Sequence, residues 1–285
     1  MTRPDEPLAE VSRTALGTAA LRAHESRRAD RLFDDPYAEA FDDTALGVSS
    51  PLDGPDGSSA GRRELSPMEQ EFYGPIVTRT RFFDDYLTRA AGGCAQVVLL
   101  AAGLDTRAFR LTWPAGTRMF ELDFPGVLAF KDTVLGSAGA VPRCQRTTVP
   151  CDLRTDWAAA LTATGFDPAV PTAWLAEGIV IYLSPTEADQ LFSRVTGLSA
   201  PGSQLSFEHT PAGSWTGTST GELAQTPAMR ELASLWQGGL ADEAPGWLSG
   251  HGWRHQLHDV TAFAATLQRP ELDPGPFDYL TAIRG

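Results

Sequence analysis

The chain has 285 residues, of which 42% are hydrophobic and 21% charged, as in an ordinary globular protein with one α/β domain plus additions, or two small domains. Its net charge of −13 argues against a nucleic-acid backbone or an anionic membrane as partner. The three cysteines form no CxxC pair, so we predict reduced thiols in a cytoplasmic protein. No apolar run is long enough to cross a bilayer, and the N-terminus lacks the apolar core of a signal peptide.

The N-terminal part is predicted to be helical. Small apolar residues recur at helical spacing from Thr14 onward, and Asp35-Pro36 is typical of a helix start. Residues 48–63 are rich in Ser, Gly, Pro and Asp, which predicts a mobile loop, and a further helix is predicted over residues 66–89.

Residues 97–107 have the pattern of a ligand-binding turn. The continuous apolar run at 97–100 predicts a strand buried on both faces. Ala101, Ala102 and Gly103 then allow a ligand to approach the backbone, and a helix is predicted from Thr106 onward. A strand, a small-residue turn and a helix in this order are typical of a nucleotide-type site.

The details of the turn indicate which ligand it binds. A dinucleotide fingerprint needs glycine at positions 101, 103 and 106, and only Gly103 is present. Those glycines admit a pyrophosphate, so a ligand without phosphates, such as S-adenosylmethionine, does not need them. A second predicted strand at 118–124 carries Glu121 and Asp123. An acid about 20 residues beyond the turn can bind ribose hydroxyls, and we choose Asp123 before Glu121.

Strands and helices continue to alternate along the chain. Further strands are predicted at 146–149, 174–177, 204–208, 252–258 and 277–283. Ser184, Pro185 and Glu187 have the spacing of a capping box that begins a helix. Because ligands bind beyond the carboxyl ends of parallel strands, Gly103, Asp123, Asp152 and Glu177 should lie close together.

The predicted fold is therefore α/β, a Rossmann-like, doubly wound, mostly parallel sheet of seven strands. Residues 1–75 are predicted to form an N-terminal helical cap and loop, and residues 76–285 the main domain. Residues 210–250 break the alternation and are predicted to form a lid insertion after the fifth strand, with one helix at 227–236.

Seven stretches that span most of the chain carry a family resemblance, at residues 18–23, 34–38, 79–85, 102–107, 120–125, 151–153 and 176–183. In these stretches the chain resembles the leucine carboxyl methyltransferase family, most closely its bacterial branch of S-adenosylmethionine-dependent methyltransferases. The resemblance implies a class I methyltransferase fold, with S-adenosylmethionine as cofactor and S-adenosylhomocysteine as product. It is weakest over residues 210–250, where the acceptor would be recognised.

The resemblance implies roles at the amino-acid end of the cofactor. Arg79 is similar to the family's arginine that pairs with the cofactor carboxylate, and a guanidinium suits that geometry. Arg22 is similar to a basic residue that approaches the same end. Glu177 matches an acid near the cofactor's amino group.

The resemblance also implies roles at the adenosine end. Asp123 matches the acid that binds the ribose, and Asp152 with Leu153 matches the pair that contacts adenine. The family commonly has glycine where this chain has Ala101, next to Gly103. The added methyl group is expected to weaken or slightly shift the cofactor.

A carboxylate acceptor, on a small molecule or a peptide, is favoured by the resemblance and would give a methyl ester by in-line transfer. A carboxylate is ionised at neutral pH and needs no general base, whereas a hydroxyl does. Tyr182, Tyr73 and His209 are the candidates that face the acceptor, with His209 as base for a hydroxyl. Trp215, Trp236 and Trp247 favour an aromatic or polyketide-like acid.

Other functions remain open. The missing glycines argue against a nicotinamide-dependent oxidoreductase, and Ala101 leaves a catalytically silent, methyltransferase-like binding protein possible. No metal site is predicted, because a strand would separate His255 from His258 and no acid or cysteine at standard spacing completes a site with His251. Both a monomer and a homodimer are compatible with the sequence.

Overall fold

The computed structural model describes residues 6–44, 65–211 and 226–285. Within these ranges, seven strands form one sheet: β1 (Gln96–Leu100), β2 (Arg118–Asp123), β3 (Gln145–Pro150), β4 (Thr172–Ala176), β5 (Gln204–His209), β6 (Trp253–His258) and β7 (Asp278–Arg284). The helices of the same ranges are α1 (Glu6–Ser26), α2 (Ala38–Thr44), α3 (Pro67–Ala90), α4 (Arg107–Arg110), α5 (Pro125–Ser137), α6 (Trp157–Ala163), α7 (Pro185–Gly197), α8 (Pro227–Ser234), α9 (Ala244–Gly250) and α10 (Val260–Thr266).

The sheet has the strand order β3-β2-β1-β4-β5-β7-β6. Strands β1 to β5 pair in parallel, and β7 runs antiparallel to both β5 and β6. The predicted seven-stranded, mostly parallel, doubly wound sheet is therefore confirmed. The order reverses between β1 and β4, and a ligand crevice is expected at the carboxyl ends of the strands there.

Strand β1 lies at the centre of the sheet, and all five of its residues are buried. Val97 and Leu99 pack into one apolar cluster with α3 and α5, whereas Val98 and Leu100 pack into a second cluster with α6 and α7. Successive side chains of a strand point to opposite faces, so an unbroken apolar run requires helices on both sides of the sheet.

Two capping boxes fix where long helices begin. The predicted box at α7 is confirmed: the backbone N–H of Glu187 donates to Ser184 Oγ at 3.3 Å, and Ser184 N–H donates to Glu187 Oε2 at 2.9 Å. Ser66 and Glu69 form the same motif at the start of α3. Each box satisfies backbone donors that a helix start leaves free.

The predicted division between residues 75 and 76 falls inside α3. Helix α1 packs against α2, α3 and α5, so the N-terminal helices lie directly on the main body. The division into a cap and a main domain stays a prediction, and the predicted loop at 48–63 lies outside the described residues.

Residues 210–211 and 226–250 of the predicted lid insertion are described. The insertion contains α8, as expected from the sequence, and also α9, which the sequence analysis missed. The part at 212–225, including Trp215, lies outside the described residues. In the described part of the chain, no helix combines the length and the apolar character that a membrane span requires.

Candidate active site

A cavity of about 370 Å³ lies at the carboxyl ends of β1, β2, β4 and β5. Its walls also include residues of α1, α3 and α8. Nine of the sequence-predicted site residues line it: Arg22, Arg79, Ala101, Gly103, Asp123, Asp152, Leu153, Glu177 and Tyr182. The cavity lies where the strand order reverses, and its volume suits a small ligand.

The turn after β1 has two residues with left-handed backbone conformation, Ala101 with a φ of 52° and Gly103 with a φ of 45°. Gly103 N–H donates to Asp123 Oδ2 at 2.6 Å, and Phe124 N–H donates to Asp123 Oδ1 at 2.6 Å. Burial raises the pKa of Asp123, and these two hydrogen bonds oppose that rise. The same bonds hold the Asp123 carboxylate against the turn.

Glu121, the second choice for the ribose acid, lies outside the cavity lining. It is fully buried and accepts from Lys131 Nζ at 2.8 Å and from Arg146 Nη2 at 2.7 Å. Lys131 is the only lysine of the chain and is also fully buried. Glu121 is thus part of an ion cluster that joins β2, β3 and α5 beneath the sheet's ligand-binding edge.

Arg79, from α3, binds two carboxylates at the cavity wall. Its Nε donates to Glu177 Oε1 at 2.9 Å, and its Nη1 donates to Glu208 Oε1 at 2.9 Å. Glu208 Oε2 also accepts from Gly178 N–H at 2.7 Å. Burial raises the pKa of Glu208, Arg79 opposes the rise, and Glu177 adds to it.

Arg107 is a second guanidinium that binds Glu177. Its Nη1 donates to Glu177 Oε2 at 2.6 Å and also to Asp105, and its Nε donates to Asp84 Oδ1 at 2.6 Å. Burial alone would lower the pKa of Arg107, but these carboxylates hold it well above its usual value. Burial alone would likewise raise the pKa of Asp105, but the guanidinium of Arg107 lowers it to about 2.

Arg22 connects α1 to the turn after β1. Its Nε donates to Asp35 Oδ2 at 2.9 Å, and its Nη2 donates to the backbone carbonyl of Leu104 at 2.8 Å. Helix α1 therefore forms one wall of the cavity and is anchored at its edge.

Asp152 and Leu153 line the cavity just after β3. Asp152 accepts from the exposed Arg154 at 2.7 Å, and this hydrogen bond lowers the pKa of Asp152. Asp152 and Leu153 are half-buried, and the exposed Arg154 also lines the cavity.

Of the acceptor-facing candidates, only Tyr182 lines the cavity. Burial raises the pKa of its hydroxyl. The residues on either side of His209, Glu208 and Thr210, line the cavity but His209 does not, as the alternation of side chains along a strand requires. Tyr73 also lies outside the lining, and its hydroxyl donates to the buried Glu25.

The tryptophans of the predicted lid have different surroundings. Trp236 lines the cavity. Trp247 lies outside the lining, where it stacks on His251 with 3.8 Å between ring centroids. Across residues 6–44, 65–211 and 226–285, no group of three His, Cys, Asp or Glu side chains could hold a metal ion.

Glu208 and Arg107 are the site residues that the sequence analysis missed. Arg107 was included only as the end of a motif. Glu208 could have been found from the strand pattern, because Phe207 is an apolar core residue and the next side chain must point to the opposite face. Glu208 also lies near the end of a strand, as Asp123 does.

Comparisons with known proteins identify the family and the fold. The model of the leucine carboxyl methyltransferase family matches residues 15–196. A protein from Parafrankia sp. (strain EAN1pec), whose name describes an S-adenosyl-L-methionine-dependent methyltransferase, is 52% identical over 263 residues, which cover 92% of this chain and 83% of the relative. A protein of the same description from Frankia alni is 48% identical over 278 residues, which cover 97% and 95%. A crystal structure from Thermobifida fusca, described as a methyltransferase, is similar in fold, with a TM-score of 0.53 at 19% identity over the full length of both chains.

Proposed function

This chain belongs to the leucine carboxyl methyltransferase family and is an S-adenosylmethionine-dependent methyltransferase, and from that premise we propose that it forms a methyl ester on a carboxylate of a small-molecule acceptor. The observation that carries the proposal is the composition of the cavity lining. Arg79, Arg107 and Glu177 form a charged end through their mutual hydrogen bonds. A separate cluster that includes Ile76, Leu232 and Trp236 supplies apolar and aromatic walls, and no histidine is among the described lining residues.

The charged end of the cavity fits the amino-acid part of S-adenosylmethionine. We assign the cofactor carboxylate to Arg79 and Arg22. The hydrogen bonds described above use Nε and Nη1 of Arg79 and Nε and Nη2 of Arg22, so each guanidinium has one further nitrogen that can donate to a carboxylate. We assign the amino group to Glu177, which both Arg79 and Arg107 hold in place. When bound, the cofactor supplies a methyl group that the positive sulfur has already activated.

The adenosine part of the cofactor fits the ends of β2 and β3, on the other side of the place where the strand order reverses. We assign the ribose hydroxyls to Asp123, whose carboxylate keeps lone pairs beyond those used by its two backbone donors. Asp152 is assigned to the adenine amino group, and Leu153 to the face of the ring. Ala101 and Gly103 have small side chains, so the ligand can approach the backbone. The methyl group of Ala101 occupies space that a glycine would leave free.

A carboxylate acceptor agrees with the titratable groups of the cavity. The acceptor needs no base, and His209 is directed away from the lining. Tyr182 keeps its proton at neutral pH, because the ordinary pKa of a tyrosine is about 10 and burial raises the pKa of this hydroxyl further. We propose that Tyr182 donates a hydrogen bond to one acceptor oxygen and so orients the other oxygen toward the methyl group.

The acceptor end of the cavity favours an apolar small molecule over a peptide. Its lining includes Phe72, Ile76, Leu232, Trp236 and Phe277. Trp236 and Phe277 meet edge to face with ring centroids 6.5 Å apart, which forms a wall suited to an aromatic ring. A peptide backbone would bring polar groups that these side chains cannot bind.

The first experiment separates cofactor binding from acceptor chemistry. Calorimetric titration with S-adenosylhomocysteine is expected to show micromolar binding to the wild type, with none for NAD. Asp123→Ala should lose this binding, whereas Glu243→Ala, which removes an exposed acid outside the cavity lining, should keep it.

The second experiment follows labelled methyl transfer from S-adenosylmethionine to aromatic carboxylic acids and to phenols and alcohols of matched shape. A methyl ester releases methanol in mild base, and an ether does not. Transfer only to hydroxyl acceptors, as a base-stable product, would overturn the ester proposal. Tight cofactor binding without transfer to any acceptor would instead indicate a catalytically silent binding protein.

We further propose that the enzyme works in the cytoplasm as a monomer or homodimer. The support is chemical: Cys94, Cys144 and Cys151 are all unpaired. Size-exclusion chromatography with light scattering distinguishes the two oligomeric states.

A further inference from the structure

Glu208 and Glu177 share the single guanidinium of Arg79. Each carboxylate accepts one hydrogen bond from it at 2.9 Å. The side chain of Glu208 is only 12% exposed and borders the cavity. A guanidinium carries one positive charge, so two carboxylates bound to it leave one negative charge unmatched.

The other guanidiniums at this end of the cavity do not supply the missing charge. Each of them binds a carboxylate of its own: Arg22 with Asp35, Arg107 with Asp105, and Arg110 with Asp84. Asp84 also reaches Arg107, and Arg107 reaches Glu177. Arg110 lies 3.9 Å from Asp35, so the pairs form one connected cluster. The cluster contains five carboxylates and four guanidiniums, so it carries one carboxylate in excess. Glu208 joins the cluster through Arg79, on the cavity wall.

The cofactor and its product differ by the charge that would match this excess. S-adenosylmethionine has a sulfonium and an ammonium against one carboxylate, so its net charge is positive. S-adenosylhomocysteine has lost the sulfonium charge with the methyl group and is neutral overall. We propose that Glu208 is a further positioning residue of the methyl-transfer site, whose charge makes the cavity prefer S-adenosylmethionine over S-adenosylhomocysteine.

This inference rests on the assignment of Arg79 and Glu177 to the amino-acid end of the cofactor. Glu208 acts in two ways there. It binds Nη1 of Arg79, whereas Glu177 binds Nε, and this positioning of the guanidinium should support both ligands equally. It also attracts the sulfonium through a partly buried medium, where one elementary charge within several ångströms changes affinity by about tenfold or more. Only the second effect distinguishes cofactor from product, and it favours product release after each turnover.

The test is the ratio of two dissociation constants, measured by calorimetry on the full chain without acceptor. Glu208→Gln removes the charge and keeps the size of the side chain. We expect its affinity for S-adenosylmethionine to fall about tenfold more than its affinity for S-adenosylhomocysteine. Glu39→Gln, which removes one exposed charge on α2, should leave both constants unchanged.

A second variant separates charge from shape. Glu208→Asp keeps the charge and shortens the side chain, so it should weaken both ligands and preserve their ratio. Equal weakening of both ligands by Glu208→Gln, or no change in either, would overturn the proposal. Because no acceptor is present, either result leaves the ester proposal standing, and that proposal fails separately in the methanol-release assay.

Discussion

Ala101 combines a left-handed φ of 52° with a position on the cofactor turn. A Cβ atom in that conformation costs about 1–2 kcal/mol, which a substitution by glycine would recover. Glycine also increases the entropy of the unfolded chain, which lowers the free energy of unfolding by about 0.4–1 kcal/mol. We therefore expect Ala101→Gly to raise the free energy of unfolding by up to about 1 kcal/mol. Urea denaturation followed by circular dichroism measures the change.

The neighbouring alanine is the matched control for this substitution. Ala102 is buried and lacks a positive φ, so Ala102→Gly removes packed surface without relieving strain. It should lower the free energy of unfolding by about 1 kcal/mol. If both glycine variants are equally destabilised, the turn carries no strain at Ala101.

Asp105 gives a pH dependence with a definite sign. Arg107 lowers the pKa of its carboxyl from 3.8 to about 2 in the folded protein, against the effect of burial. The stabilisation from this shift is present above the unfolded pKa of about 4 and disappears as the pH falls through about 2. Asp105→Asn should therefore cost about 2 kcal/mol at pH 7 and much less near pH 2.

Chemical denaturation at several pH values checks this prediction. Asp34→Asn serves as the control, because Asp34 is exposed and its ion pair with Arg31 is long, at 3.7 Å. It should change the free energy of unfolding little at any pH. A cost for Asp105→Asn that stays constant from pH 7 to pH 2 would show that the ionised carboxylate contributes nothing.

At the scale of elements, helix α3 depends on one close contact with the C-terminal part of the chain. A Cβ atom at Gly74 would lie 1.9 Å from the carbonyl oxygen of Asp273. Gly74→Ala should lower the free energy of unfolding by about 3 kcal/mol or more, despite the better helix propensity of alanine. At Gly136 in α5, where nothing lies within 4 Å, the same substitution should raise it by about 1 kcal/mol. Similar effects at both positions would mean that the contact at Gly74 relaxes without cost.

The elements themselves were predictable where local chemistry decides them. An unbroken apolar run predicted β1, and a capping box predicted the start of α7, because burial on two faces and free backbone donors both leave marks in a short stretch of sequence. Helix α9 left a weaker mark: Pro245 lies in its first turn, but the helix follows a single 3-10 turn and has no side-chain cap. Its formation depends on packing against β6, and such tertiary packing leaves no pattern in the local sequence.

The site was predictable to a similar extent. Residues at strand ends, such as Asp123 and Glu177, could be found because parallel strands bring their carboxyl ends to one edge. The pairing of Arg79 with Glu208 joins residues 129 positions apart, and only the completed sheet brings them together. His209, which was predicted to face the acceptor, does not line the cavity, since one step along β5 changes the face of the sheet.

At the scale of the whole molecule, the cavity lies between the sheet and the N-terminal helices. Thr14, Ala15, Thr18 and Arg22 of α1 line it from one side, and the turn after β1 lines it from the other. Arg22 is the direct bridge between these walls, through its hydrogen bond to the carbonyl of Leu104. A ligand that fills the cavity contacts both walls. Helix α1 can then move away from the turn only if the ligand is released.

This linkage predicts where ligand binding slows amide hydrogen exchange. A ligand whose free concentration is 100 times its dissociation constant stabilises the closed protein by about 2.7 kcal/mol. Amide exchange in α1 that requires the cavity to open should therefore slow by up to about a hundredfold. S-adenosylhomocysteine should therefore protect residues 14–22 together with the turn at 101–104. Helix α10, which lies outside the cavity lining, should show far less protection and serves as the internal control. Protection of the turn without protection of α1 would mean that the helix opens independently of the ligand, and Arg22 would then have no part in holding the cofactor.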